Sequence, residues 1–278
     1  MLLRHFMLLR HFVAVPAAAS LIAFTQIASA ADLPRKAPSP PPPAPVYNWT
    51  GCYLAGGIGY GLYDIDHFIS SPGPVFGTAL STDNGGRGWL GTVGAGCDYQ
   101  FGSPFGGNFL GGNWLVGVLG DFDWMNIKGD YTTNCPGGCA GPFSFTGERK
   151  ERYAAYAGGR VGWLITPQLL TYVSGGWTRT RFNDAALLGT FGGTTTVALP
   201  AQNYNGWFLG GGAEYALGWL PGLFWRSEYR FADYRSQSTA VACISGGCNT
   251  LPGINAIDNA RPRVQTVRSE LVYRFNFR

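Results

Sequence analysis

The chain is short of charge: only 13% of its 278 residues are Asp, Glu, Lys or Arg, against the roughly 25% usual for soluble domains. That poverty argues against an ordinary cytosolic enzyme. Histidine is scarcer still. Of three histidines, His5 and His11 lie in the N-terminal segment and His67 stands alone beyond it, which excludes His-rich metal sites. No Gly-Lys-Ser/Thr phosphate loop exists, because Lys36, Lys128 and Lys150 follow Arg35, Ile127 and Arg149. A Gly-x-Ser-x-Gly nucleophile elbow is likewise missing. Beyond residue 30 no unbroken apolar run approaches the ~20 residues of a spanning helix, so any membrane crossing must use strands. What the chain has instead is 42 glycines without a three-residue period, and 15% aromatics. Collagen and disordered polar tracts are thereby both excluded.

Residues 1–30 read as a signal peptide: Arg4 and Arg10, an apolar core from Phe12 to Phe24, then Ala28-Ser29-Ala30 before Ala31, which places cleavage between Ala30 and Ala31. Met1 to Phe6 repeats verbatim as Met7 to Phe12, so initiation at Met7 would leave the signal complete. Loss of Arg4 and Arg10 lowers the formal net charge from +4 by two, and nothing in the remainder suggests nucleic acid. Residues 31–46 contain Pro38-Ser39-Pro40-Pro41-Pro42-Pro43-Ala44-Pro45, an extended polyproline spacer expected to act as a periplasmic linker.

Residues 47–278 form the third segment. Period-two alternation bounded by Gly, Pro and Asn predicts eight strands, at 48–62, 87–101, 113–128, 148–165, 169–182, 203–217, 223–235 and 263–277. Long connections (63–86, 129–147, 183–202, 236–262) alternate with shorter ones (Gly102 to Gly112, Thr166 to Gln168, Gly218 to Gly222). This is the pattern of an all-β, eight-stranded antiparallel up-and-down transmembrane β-barrel, with long loops outside the cell and short periplasmic turns.

In the third strand Trp114, Val116, Val118, Phe122 and Trp124 share one face, while Asp121 and Asp123 share the other. Ten residues from Trp114 to Trp124 at ~3.3 Å each and ~40° tilt span about 25 Å, the height of an outer-membrane apolar band. Two aromatic girdles follow: Trp49, Trp114, Trp163, Trp219 and Trp225 at the short-turn end, and Trp89, Trp124, Trp177 and Trp207 at the long-loop end.

The same parity sends Asp98, Arg152, Arg160, Glu214, Arg226, Glu228, Arg230, Arg268, Glu270 and Arg274 inward; the fifth strand is ambiguous. Eight strands enclose an interior about filled by side chains. Glu214, Glu228 and Glu270 are therefore expected to accept from Arg160, Arg226 and Arg268, either as a structural plug or as the lining of a narrow charge-gated passage. Asp64 with Asp66, and Asp121 with Asp123, have a spacing that would admit a cation, although such pairs are more often solvated. Glycines 56, 57, 59 and 61 are expected to make room for inward side chains rather than to bind a dinucleotide.

Six cysteines in an exported chain point to disulfides. Cys135 with Cys139 and Cys243 with Cys248 are the first choice, each within one outer loop; a four-thiolate zinc site across the loops is the alternative. Cys52 and Cys97 share an outward face, where they either pair or serve as small apolar residues. Catalysis could rest only on His67 with Ser70, Ser71 or Asp66.

Ala31-Asp32-Leu33-Pro34, the proline spacer, Val46-Tyr47-Asn48-Trp49-Thr50-Gly51, Gly159-Arg160-Val161-Gly162, Leu170-Thr171-Tyr172-Val173-Ser174-Gly175-Gly176, Gly210-Gly211-Gly212-Ala213-Glu214-Tyr215 and Ser227-Glu228-Tyr229 resemble the alphaproteobacterial outer-membrane immunogenic proteins. These are small porin-like surface antigens similar to the membrane domain of OmpA. The resemblance covers residues 31 to 277 and implies an outer-membrane surface barrel supporting envelope integrity, with at most narrow passage of small solutes. A ligand-binding barrel, haem- or adhesin-like and acting through its loops, is the alternative. The chain departs from the family in Cys52, in the loop cysteines, and in Asn276-Phe277-Arg278 beyond Tyr273-Arg274-Phe275, so Tyr273, Phe275 and Phe277 are all candidates for the assembly signal. Expected partners are outer-membrane lipid and lipopolysaccharide, the barrel assembly machinery and periplasmic chaperones, with a monomer or weak oligomer as the state. No cofactor, metal or nucleic acid is expected, and no enzymatic activity.

Overall fold

The computed structural model describes residues 47–70, 80–102, 113–134, 144–189, 196–245 and 257–275. Among the described residues there are twelve strands: β1 (Gly51–Ser70), β2 (Leu80–Gly102), β3 (Asn113–Asn134), β4 (Ser144–Thr166), β5 (Leu169–Phe182), β6 (Ala185–Gly189), β7 (Thr196–Leu199), β8 (Gln202–Ala216), β9 (Leu223–Tyr234), β10 (Gln237–Ala240), β11 (Ala242–Ser245) and β12 (Ile257–Phe275). Eight of them close a ring in the order β4-β3-β2-β1-β12-β9-β8-β5, and the β5–β4 pairing completes it. Every pairing is antiparallel. Closure removes the unpaired edge that lipid cannot solvate.

Burial follows the alternation in the sequence. Along β12 buried and outward positions alternate without interruption from Val264 to Phe275, and the outward set includes Val267, Leu271 and Tyr273. Ile58, Val118 and Leu209 face outward in the same way, at 64%, 64% and 58% exposure. Such a continuous apolar belt is tolerable only against lipid. The fifth strand's ambiguity resolves with Leu170, Tyr172, Ser174, Thr178, Thr180 and Phe182 inward.

The strands run further outward than the sequence pattern predicts, because polar alternation persists past the aromatic belt. Two expected loops also contain structure. Within 183–202, β6 and β7 form a hairpin joined to the outer end of β4, and within 236–262, β10 pairs with β12 and β11 with β7. Ala185, Leu187, Val197 and Leu199 pack with Tyr131 into a small apolar cluster of their own. At the opposite end the described connections are the Pro167–Gln168 turn and Leu217–Gly222, where Gly222 adopts φ +84° and accepts from the Arg274 amide.

Two placements differ from the sequence reading. Trp49 is fully buried rather than part of a girdle: Gly51, at φ +145°, turns the chain inward before β1, and the indole caps the short-turn end against Phe224. Arg152 is exposed and Glu151 buried, the reverse of the expected parity. The cause is a pair of bulges, between Trp124 and Ile127 on β3 and between Glu151 and Tyr153 on β4.

Candidate functional site in the barrel lumen

The inward charges gather into two layers. In the inner layer, toward the short turns, Glu214 accepts from Arg160, Arg226 and Arg274 at 3.3, 3.1 and 2.6 Å. Asp98 takes Arg160 through a bidentate contact and Arg274 at 2.7 Å, while Glu270 lies 3.5 Å from Arg226. The Tyr53 ring sits among the three guanidiniums, with Arg160 and Arg226 each 4.6 Å from its centroid and Arg274 at 5.2 Å. Trp49 closes the layer from below, 4.8 Å from the Arg274 guanidinium, and anchors its own Nε1 to the Pro167 carbonyl at 3.1 Å.

In the outer layer Arg230 and Arg268 meet Asp121, Asp123 and Glu228. Arg230 reaches Asp121 and Glu228, both at 2.7 Å. Arg268 reaches Asp123 at 3.2 Å, Glu228 at 3.1 Å and Asp121 at 3.4 Å. The Tyr172 hydroxyl donates to Glu228 at 2.6 Å, and Tyr156 and Phe208 flank Arg230. Thr92 joins the layers: it donates to Glu270 and accepts from Arg268, each at 3.3 Å.

These partners refine the sequence reading. The three predicted acceptors do take arginines, but Glu228 serves Arg230 and Arg268, and Glu214 serves Arg274 as well. Asp121 and Asp123 are neither solvated nor a cation pair; they are ion-paired with arginine. Sequence parity sent them inward yet could not name their partners, since Arg230 and Asp121 are 109 positions apart.

Glycine makes this packing feasible. A Cβ on Gly210 would stand 2.7 Å from Ser174 Oγ and 2.9 Å from Glu228 Oε1, and one on Gly59 would crowd Leu90 and Arg268 at 3.0 and 3.2 Å. Side chains are withheld where the ion pairs need the volume.

Further outward a smaller polar group lines the wall. His67 Nδ1 lies 3.0 Å from Asp258, with the ring against Tyr131. Glu151 accepts from Thr180 at 2.6 Å, and Arg149 donates to Gln202 at 3.4 Å. His67 does not meet Asp66, which faces outward and pairs with Arg263 at 2.6 Å. Ser71 lies outside the described residues, as does the side chain of Ser70. Among the described residues no cluster of three or more His, Cys, Asp or Glu could hold a metal.

On the outer surface Trp89, Trp124, Trp177 and Trp207 stand exposed at one level, with Trp177 directly opposite Trp207 in register. At the other level Trp114 is opposite Trp163, Trp225 is outward, and Trp219 is exposed in its turn. Cys52 and Cys97, direct register partners on β1 and β2, form a disulfide. Cys135, Cys139 and Cys248 fall outside the described residues, and only the backbone of Cys243, in β11, is described. Tyr273 and Phe275 end β12 facing outward in edge contact, while Phe277, Ala30 and Ala31 lie outside the described residues.

Residues 17–275 match the outer membrane protein beta-barrel domain family. Over 265 residues, 91% of this chain and 95% of the relative, the sequence is 28% identical to the 31 kDa outer-membrane immunogenic protein of Brucella melitensis biotype 1. The same values hold for that protein from Brucella suis biovar 1. Among solved structures, Ail, the attachment invasion locus protein of Yersinia pestis, is 13% identical and covers 81% of this chain and 99% of its own, with a TM-score of 0.34. The chain therefore belongs to the outer membrane protein beta-barrel domain family, as an integral surface barrel of the cell outer membrane related to the alphaproteobacterial outer-membrane immunogenic proteins.

Proposed function

We propose that the protein is a structural element of the outer membrane whose ion-paired lumen passes no steady stream of solute. The observation that carries this reading is burial. Arg160, Glu214, Arg226, Glu228, Arg230, Arg268, Glu270 and Arg274 are each at most 3% exposed. Water reaching across the bilayer would have to separate guanidinium from carboxylate in both layers, and each carboxylate there is held by at least one arginine. No catalytic step belongs to this reading, since His67 is held in the wall by Asp258 and Tyr131. The barrel assembly machinery would insert the chain, and the closed ring needs no second copy to satisfy its edges.

Liposome swelling tests the reading. Vesicles carrying the refolded protein should swell in arabinose no faster than empty vesicles, while a strain lacking the protein should become sensitive to detergent and recover with the wild-type gene. Fast swelling together with a detergent-resistant deletion strain would contradict it.

A second reading, ligand capture at the cell surface, is favoured by the apolar cluster that fixes β6 and β7 above the barrel. Shortening 190–195 should then abolish binding of a surface ligand while insertion persists.

A further inference from the structure

The first two strands of the barrel are poorly keyed to each other. Of the nine register pairs from Tyr53 with Gly96 to Gly61 with Gly88, seven have a glycine on at least one side, and strands so poor in side chains hold their register weakly. Packing forbids larger residues there: a Cβ on Gly57 would strike the Ser269 carbonyl, and one on Gly96 the Tyr53 ring. The inward contacts that hold β2 at its height come from other strands. Asp98 is held by Arg160 and Arg274, 62 and 176 positions away, and Thr92 meets Glu270 and Arg268. These partners fix β2 only once the ring has closed. Within the β1–β2 pair itself, outward Leu54 with Ala95 and Tyr60 with Trp89 remain, and to them is added one covalent bond, Cys52 to Cys97. A slip of two residues would keep every face but carry Asp98 about 7 Å from both its arginines, and a slip of one would turn Asp98 and Thr92 toward lipid. The bond excludes both.

Position decides when that bond can be made. Cys97 is exposed on the outward face between Ala95 and Tyr99 and opposite Val118, while Cys52 lies beside Leu54 and opposite Phe275. An open groove of about 420 Å³ beside the pair is lined by Leu54, Ala95, Val118 and Phe275 among others. Eight residues separate Cys97 from Trp89 at the outer boundary, about 20 Å of tilted strand, which leaves the bond inside an apolar band about 25 Å tall. Thiol–disulfide exchange runs through a thiolate that attacks a disulfide sulfur. Hydrocarbon admits neither that anion nor a water-borne oxidant or reductant.

We propose that Cys52 and Cys97 are joined by a thiol-oxidising disulfide protein of the periplasm before the barrel enters the membrane, that the bond sets the β1–β2 register on which the lumen ion pairs depend, and that lipid then seals it. The thiolate of one cysteine attacks the oxidant's disulfide to give a mixed disulfide. The thiolate of the other then attacks the chain's own sulfur in that bond, forming the Sγ–Sγ bond and expelling the oxidant. Two S–H bonds are lost from the chain, and the oxidant leaves as a dithiol with both electrons and both protons. The periplasm is the oxidising compartment this step needs. The inference needs the outer-membrane location and is independent of whether the lumen conducts.

The test follows the two thiols of the full-length protein through assembly in a Gram-negative host. Depletion of the barrel assembly machinery leaves processed protein uninserted, recognised by the absence of a heat-dependent gel shift; thiols are trapped with N-ethylmaleimide and mapped as non-reduced peptides. The uninserted pool should already carry Cys52 linked to Cys97. Free thiols at both positions in that pool, with the linkage found only after insertion, would overturn the proposal. In vesicles, tris(2-carboxyethyl)phosphine should leave the bond of the gel-shifted protein intact under conditions that reduce it fully in urea, and equal reduction in the two would contradict the sealing. Oxidised wild type should reach the gel-shifted form at least about tenfold faster than Cys52→Ser/Cys97→Ser, with reduced wild type matching the variant. A bond that merely tied the finished barrel would leave the rate of appearance unchanged and slow only unfolding, which would refute the register role. Should the serine variant aggregate, oxidised against reduced wild type gives the same comparison of rates.

Discussion

Glu214→Gln is the sharpest perturbation of the lumen. The carboxylate accepts from three arginines, Arg160, Arg226 and Arg274, at 3.3, 3.1 and 2.6 Å, and is fully buried. Glutamine keeps the shape but removes the charge, leaving those guanidiniums with the carboxylates of Asp98 and Glu270 and, for Arg274, the Trp49 carbonyl. Uncompensating a buried pair costs about 3–5 kcal/mol, and the upper end applies where one acceptor serves three cations. Glu270→Gln supplies the internal scale. That carboxylate has one cation within ion-pair distance, Arg226 at 3.5 Å, and one hydroxyl, Thr92, so a cost of about 1–3 kcal/mol is expected. Equilibrium unfolding in urea with detergent-free vesicles, followed by tryptophan emission and by the gel shift, measures both. Stability falling for Glu214→Gln by less than about 1 kcal/mol, or by less than for Glu270→Gln, would refute the ion-pair account of the lumen.

Other consequences follow from the same geometry. Trp49→Ala should destabilise by about 3–5 kcal/mol because the indole is buried at the capped end, whereas Trp219→Ala, 74% exposed, should change stability by less than about 0.5 kcal/mol; urea titration of each variant checks the contrast. Gly210→Val should lower the folded yield in the gel-shift assay, since its side chain would meet Ser174 and Glu228. Non-reducing peptide mapping should recover Cys52 linked to Cys97, and Cys52→Ser/Cys97→Ser should cost up to about 4 kcal/mol, the loop-closure value for a separation of 45. His67→Ala should leave the lipid A profile of the cells unchanged by mass spectrometry, in keeping with a wall residue.

Alternation carried most of the fold. The faces of β3 and β12 were legible because one residue in two meets lipid and the other meets buried charge. Parity failed at Arg152, where bulges on β3 and β4 add residues that the sequence does not flag. It also failed at Trp49, because an aromatic next to a strand reads as girdle unless the inward turn at Gly51 is known. The lumen's composition was legible and its pairing was not: stagger around a closed barrel decides that Asp98 meets Arg274, 176 positions away. Cys52 and Cys97 shared a face in the sequence, and register made them a pair. The short strands β6 and β7 were hidden in an expected loop because four or five residues hold too few periods to stand out.

The central claim is that two layers of ion pairs close the lumen, and single-channel recording of the refolded protein in a planar bilayer tests it most directly. Protein that shows the gel shift should give no steady current in symmetric potassium chloride, and Glu228→Ala/Arg268→Ala, which opens the outer layer alone, should leave the bilayer silent because the inner layer remains. Discrete openings from the wild type, with a conductance that changes in the Glu228→Ala/Arg268→Ala variant, would contradict the account and make the inward charges the lining of a pore.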